Sequence, residues 1–207
     1  MTVETTVPKP TARVTLVTKP SAYPGVPDEK TKAALATLFE HMFPQVEDPE
    51  IPGTAAVFGV IAQNPTLALH LVKASDHMTR ENEFTVGRTD LRQLLIQTLC
   101  YHFKCDFNFT SHIKAAAKAG ISVEQQALIP FWKTSNAFDD EQKLVIEYTY
   151  AVVSGDVPEA LFARVVKHFG ESTAIDCTVA IAWWSFWAMI ANAAAPQFDF
   201  GYGPVGA

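Results

Sequence analysis

From residue 28 onwards the apolar positions of the chain recur at helical spacing. Asp28 caps a first pattern, EKTKAALATLFEHMF, in which Leu35, Leu38, Phe39 and Met42 fall at i, i+3, i+4 and i+7, with Pro44 beyond its end. After the polar loop EDPEIPG, Thr54 to about Ala62 reads as a short apolar helix. Asn64-Pro65 then restarts a helix whose stripe is Leu67, Leu71 and Ala74. The charged loop TRENEFTVGRTD leads to Asp90, the expected N-cap of LRQLLIQTLCYHF, which is apolar at Leu91, Leu94, Leu95, Ile96, Leu99 and Phe103. Lys104 to Asp106 breaks that helix, with Asp106 as the next N-cap, and FNFTSHIKAAAKA continues to a C-capping Gly120. Ser122 and Gln125 stand at the two positions of a capping box for another short helix.

A longer helix, EQKLVIEYTYAVVSG, follows Asp139-Asp140, with Leu144, Ile146, Tyr148 and Val152 as core candidates. Pro158 opens PEALFARVVKHFG, because proline is tolerated in the first helical turn, and Gly170 closes it. Cys177 to Phe198 is an uncharged apolar helix interrupted by Ser185 and Asn192 and stopped by Pro196. Pro8, Pro10, Pro20, Pro24 and Pro27 favour extended backbone before residue 28. The chain therefore reads as all-α: a proline-rich arm at 1–27, one helical domain at 28–196, and a Gly-rich aromatic tail at 197–207. Laid without gaps, QLLIQTLCY faces KLVIEYTYA, Asp106 faces Asp156 and AGIS faces FGES, which suggests two related helical hairpins about a pseudo-twofold. Phe162 stands where His112 would repeat.

Length and composition then narrow the classes. At 207 residues and 48% apolar content, one domain with a substantial core is expected. A formal charge of -6 leaves no basic stripe to neutralise phosphates, which argues against a nucleic acid partner. The N-terminal MTVETTVPKPTARVTLVTKP has no continuous apolar run followed by a cleavage site, so a cytoplasmic location is expected. Cys100, Cys105 and Cys177 are an odd set without CxxC spacing, which argues against a disulfide framework and a zinc site. His70 and His77 have no third ligand at a metal-binding interval, and they read as surface or packed histidines. The uncharged helix from Cys177 is about long enough to span a bilayer. It lacks flanking Lys/Arg clusters, so a buried core or subunit contact is expected and no membrane partner.

Candidate chemistry concentrates in RQLLIQTLCYHFKCDFNFTSHIKAAAKAG, from Arg92 to Gly120. Asn108 and His112 are i and i+4 on one helix, and Cys105 precedes Asn108 by one turn, so the three converge. His112 is the side chain there that titrates near neutrality and can take and return a proton. Arg92 and Lys104 are candidates for holding a substrate carboxylate, with arginine suited to the bidentate grip. Tyr101 and His102, just before the break, are further candidates for reaching the substrate. Lys104 also fits a solvated cation, and His102 a packed histidine. Trp183, Trp184 and Trp187 read as core or interface residues, any one of which could wall an aromatic-derived substrate.

Arg92-Gln93 with Ile96, then Cys105-Asp106-Phe107-Asn108-Phe109-Thr110-Ser111-His112, then Ala116 and Ala119-Gly120-Ile121-Ser122 are a familiar series. It resembles the carboxymuconolactone decarboxylase and alkylhydroperoxidase D superfamily of small helical proteins, many of which carry R-E-x-x-I, C-x-Y-E-W-x-x-H and A-x-x-A-G-[IL]-S in this register. The resemblance implies that fold, a trimer or hexamer, and no cofactor. Its peroxidase branch uses a CxxC pair, a histidine and an upstream glutamate. Here Cys105 takes the first cysteine position, Asn108 the second, His112 the histidine and Gln93 the glutamate. Asparagine forms no disulfide and glutamine shuttles no proton, so the departures turn the implied chemistry away from peroxidase. Cys100, five residues from Cys105 across a helix break, is not placed by spacing to form a disulfide with it.

What the resemblance then implies is a lyase, isomerase or hydrolase acting on a small unsaturated carboxylic acid or lactone from aromatic ring cleavage. His112 is its general acid or base, and Gln93 and Asn108 hold an oxyanion. Two alternatives stay open: a thiol-dependent redox protein working through Cys105, and a non-catalytic ligand-binding member of the fold.

Overall fold

The computed structural model describes residues 12–197, and over that span the chain is all-helical, with ten α-helices and no strand. They are α1 (Glu29–Met42), α2 (Ala56–Ile61), α3 (Pro65–Arg80), α4 (Glu83–Gly87), α5 (Thr89–Phe103), α6 (Asp106–Lys118), α7 (Val123–Leu128), α8 (Asp140–Ser154), α9 (Glu159–Phe169) and α10 (Glu171–Ala194). Helix α5 is the centre of the bundle. It packs on α6, α8 and α10, and Leu91, Leu94, Leu95, Ile96 and Leu99 are buried in one core with the inner face of α10. Helix α10 has the length and hydropathy of a membrane span, but half of that window is buried, against α4, α5, α8 and α9.

Local caps set most of the boundaries. The Asp28 carboxylate accepts from the Thr31 N–H at the start of α1, and Asn64 does the same for Leu67 at the start of α3. Ser122 with Gln125 and Asp139 with Gln142 form complete capping boxes. Two expected caps are corrected. Helix α5 starts at Thr89, so Asp90 lies inside the first turn and pairs with Arg88 instead of capping. Helix α6 is capped from Cys105, with Asp106 its first residue, because the chain is still turning at Lys104. The charged loop before Asp90 contains a further short helix, α4, started by the Asn82 side chain accepting from Thr85. On α3 the buried positions include Ala68 and Val72, while Leu67 is exposed. The core face of α3 therefore lies one residue from the expected stripe.

The stretch expected as an arm lies against the bundle over its described part. Val17 is fully buried and donates its N–H to the Gly59 carbonyl, and Arg13 caps the end of α10 through the carbonyls of Asn192 and Ala193. Residues 1–11 and 198–207, and with them most of the expected tail, lie outside the described residues. At the other end of α5, Arg88 grips Glu141 through both guanidinium nitrogens, and His168 bonds the same carboxylate. The Arg88 bonds hold Glu141 down at about 2 and join α5 to α8 and α9.

Two helical hairpins are present, α5 with α6 and α8 with α9, each turned by a left-handed residue. The left-handed positions are Lys104 and Gly155, so the turn residue matching Lys104 is not the Ser154 of the ungapped alignment. At the first turn the Cys105 N–H reaches the Cys100 carbonyl and the Lys104 N–H reaches the Tyr101 carbonyl, which closes α5 in a Schellman motif. Such a turn favours glycine, yet lysine occupies it with φ 52°. Lys104→Gly is expected to raise the melting temperature by about 1 to 4 °C, the equivalent of relieving roughly 0.5 to 1 kcal/mol of left-handed strain. A lower melting temperature by calorimetry would show that the lysine side chain contributes more than its backbone costs.

Candidate functional site

Arg92, Gln93 and Ile96 stand at i, i+1 and i+4 on α5, and Asn108, Ser111 and His112 at i, i+3 and i+4 on α6. Both sets face one cavity of about 240 Å³. The Lys104 turn folds α6 back along α5 to bring them together. A buried amide pair then fixes the spacing of the two helices. Gln97 donates to the Phe109 carbonyl and to Gln126, and Gln126 donates to the carbonyls of Ile113 and Ile121, so α5, α6 and α7 share one polar seam.

Opposite walls come from regions that the motif does not contain. Helix α3 contributes Ser75 and Thr79, the turn before α2 contributes Thr54, and Phe58 packs 4.9 Å from Trp187. Trp183, Trp184 and Trp187 form the remaining wall, with the rings of Trp183 and Trp187 set edge to face at 5.6 Å. Residues on three separated helices and a short turn have no local periodicity that relates them to His112. The signal that could have found the tryptophans is their own spacing of i, i+1 and i+4 on an apolar helix.

Among the described residues the cavity is lined by one cation and no acid, and its electrostatics follow from that. His112 Nδ1 lies 2.9 Å from Gln93 Oε1, and since an amide oxygen only accepts, Nδ1 carries the proton and Nε2 the lone pair. Burial, reinforced by the Arg92 guanidinium, pushes the imidazole down to about 4. At neutral pH the ring is therefore uncharged and basic at Nε2. Arg92 has neither an ion pair nor a side-chain hydrogen bond among the described residues, and burial lowers its pKa too. The Asn108 side chain, only 7% exposed, is likewise without a hydrogen-bond partner among them. So is the amide nitrogen of Gln93, a residue 5% exposed. The buried Ser75 hydroxyl also lacks a partner.

No family model, curated protein or solved structure matches this chain. The site is thus read from its own residues.

Of the residues expected to act, Arg92, Gln93, Asn108 and His112 come together in the cavity, while Cys105, Tyr101, His102 and Lys104 are not on its wall. Tyr101 packs edge-on against Phe109, and burial raises its pKa. His102 is exposed and stacks edge-on with Phe103. Lys104 is exposed at the left-handed turn. Cys105, 1% exposed, meets Cys100, 2% exposed, because the Schellman turn brings its two flanking residues into contact. Both thiols are free. The Cys100 thiol hydrogen-bonds to Cys105, and this bond, aided by the Asn108 N–H, lowers the Cys105 pKa while that of Cys100 is raised well above normal. Among the described residues no three His, Cys, Asp or Glu side chains gather as a metal site. Cys105→Ser is expected to change the affinity for benzoate, measured by calorimetry, by less than about twofold, as for a group that does not share the cavity. A loss of tenfold or more would place the thiol in the binding site.

Proposed function

We propose that this protein is a cofactor-independent enzyme, similar in kind to the carboxymuconolactone decarboxylases, that acts on a small unsaturated carboxylic acid or lactone with His112 as its proton-transfer group. The observation that carries this reading is the pairing of an unpartnered Arg92 with a neutral, oriented His112 in one aromatic-walled cavity. Arg92 is suited to receive a carboxylate. His112 Nε2 takes a proton from the carbon beside an unsaturated carbonyl, and the C–H electron pair passes to the carbonyl oxygen. The side-chain N–H groups of Gln93 and Asn108 are available to hold that oxyanion. The imidazolium returns the proton to a carbon further along the conjugated system, the double bond moves, and His112 is neutral again. Lactone hydrolysis uses the same first step on a water molecule. Decarboxylation leaves the electron pair on an extended enolate whose carbon must then receive a proton, and a neutral imidazole has none to give at Nε2, which favours isomerase or hydrolase chemistry over lyase chemistry.

Unsaturated oxo acids and lactones of ring-cleavage type, followed by ultraviolet absorbance and by proton loss in deuterated water, test the reading. His112→Asn is expected to lower kcat/KM by roughly 10² to 10⁴. The wild-type rate is expected to fall as pH drops through about 4, where His112 gains a proton, and to stay level from there to neutrality. Full activity in His112→Asn, or an acid limb near the ordinary histidine value of about 6.5, would remove His112 from the role.

One observation supports a second reading, a thiol redox protein in which Cys100 resolves Cys105: the two residues meet across the Schellman turn, and the Cys100 side chain lowers the Cys105 pKa. Their burial away from the cavity favours the first reading. We also propose that the chain forms a homo-oligomer, a trimer or hexamer, in the cytoplasm. Ile175, Val179 and Met189, exposed along one face of α10 with Ala182 and Phe186 between them, supply an apolar stripe for a second copy. Light scattering is expected to give a multiple of the 22.7 kDa chain. A monomer at micromolar concentration would defeat this part of the proposal.

A further inference from the structure

The cavity wall carries a charge count that goes beyond the reading above and rests on it. Among the described residues that line it, Arg92 is the single permanent charge, and no Asp, Glu or Lys joins it. Every other polar group there is neutral. Asn108, buried to over nine-tenths, offers a side-chain amide that nothing in the described structure engages, and the Gln93 nitrogen beside His112 is equally open. Both amides line the cavity, where a ligand oxygen that accepts from the N–H takes the place of water. A second ionised carboxylate in the same space would meet no second cation. It would be buried unpaired, which is far more costly than burying a carbonyl that has found an amide donor.

From these juxtaposed groups we infer that the site selects monocarboxylates carrying a second, uncharged oxygen: the carboxylate pairs with Arg92, and a ketone, lactone or ester carbonyl accepts from Asn108. Dicarboxylates and tricarboxylates are excluded by charge, not by size. The tryptophan wall and the volume of about 240 Å³ suit one flat conjugated body between the two polar contacts. The consequence for the reaction is direct. If the carboxylate is held by Arg92, it is the handle of the substrate and not the group expelled, so the chemistry falls at the carbonyl end, as isomerisation or as ring opening of a lactone.

The discriminating pair is 4-acetylbenzoate and terephthalate, which share a skeleton and differ by a methyl group against a charged oxygen. Calorimetry on the full chain at pH 8, where His112 is neutral, is expected to show 4-acetylbenzoate bound at least tenfold more tightly than terephthalate. Arg92→Gln is expected to weaken 4-acetylbenzoate at least tenfold while leaving the neutral 4-acetylbenzamide within about twofold, as for loss of one charge pair. Asn108→Ala, checked for folding by circular dichroism and by its melting temperature, is expected to erase the advantage of 4-acetylbenzoate over benzoate. Terephthalate bound as tightly as 4-acetylbenzoate, with both lost in Arg92→Gln, would overturn the selection for monocarboxylates while the acid-binding reading stands. An unchanged acetyl advantage in Asn108→Ala would overturn the carbonyl contact. Carboxylates that bind no better than 4-acetylbenzamide, in wild type and Arg92→Gln alike, would overturn the inference together with the reading beneath it.

Discussion

Two basic side chains, Arg92 and His112, are confined in one largely apolar cavity with no acid among the described residues that line it, and the properties of the site follow from that confinement. Desolvation penalises both charged forms. The guanidinium retains its charge because its intrinsic pKa is so high, and the imidazole gives way and becomes neutral. A glutamate at position 93 would have quenched this arrangement by pairing with Arg92 or by holding His112 as an imidazolium. Gln93 does neither. Its oxygen orients His112 through Nδ1 and leaves Nε2 basic, and its neutrality leaves the field of Arg92 for a ligand. The two amides, at 93 and 108, are therefore what keep the site cationic and receptive to an anion.

Much of the surrounding structure supports that confinement. The left-handed turn at Lys104 reverses the chain between the two site helices, and the Gln97–Gln126 seam holds α6 against α5 at fixed register. The apolar α10 closes the cavity with three tryptophans, and Asn192 at its far end donates to the Phe103 carbonyl, which ties α10 to the same turn. At the opposite end of α5, the Arg88–Glu141–His168 cluster anchors the helix to α8 and α9. The central helix is thus held at both ends, and its middle presents Arg92 and Gln93 to the cavity.

The helices were legible because their caps are local. Asp28, Asn64, Ser122 with Gln125, and Asp139 with Gln142 each act over three residues, a range at which sequence alone determines the hydrogen bond. His112, Asn108 and the α5 pair Arg92 and Gln93 were found by helical spacing plus a residue resemblance that spans the turn. What was not legible depends on tertiary placement. Spacing alone gives no reason for Ser75, Thr79 and the tryptophans to face His112. Nor does it show that lysine at position 104 would turn left-handed, and that turn is what moves the α6 cap to Cys105 and sets its sulfur on Cys100. The buried face of α3 runs through Ala68 and Val72, one position from Leu67 and Leu71, and helical spacing alone does not choose between two such adjacent stripes.

The central claim is the protonation state of one imidazole, and nitrogen-15 magnetic resonance of histidine-labelled protein observes it without any substrate. At pH 7 the His112 ring is expected to show a protonated Nδ1 and a bare Nε2, and to titrate only as the pH approaches about 4. An imidazolium already formed between pH 6 and 7, or a proton resting on Nε2, would contradict the neutral base oriented by Gln93 on which the proposed chemistry depends.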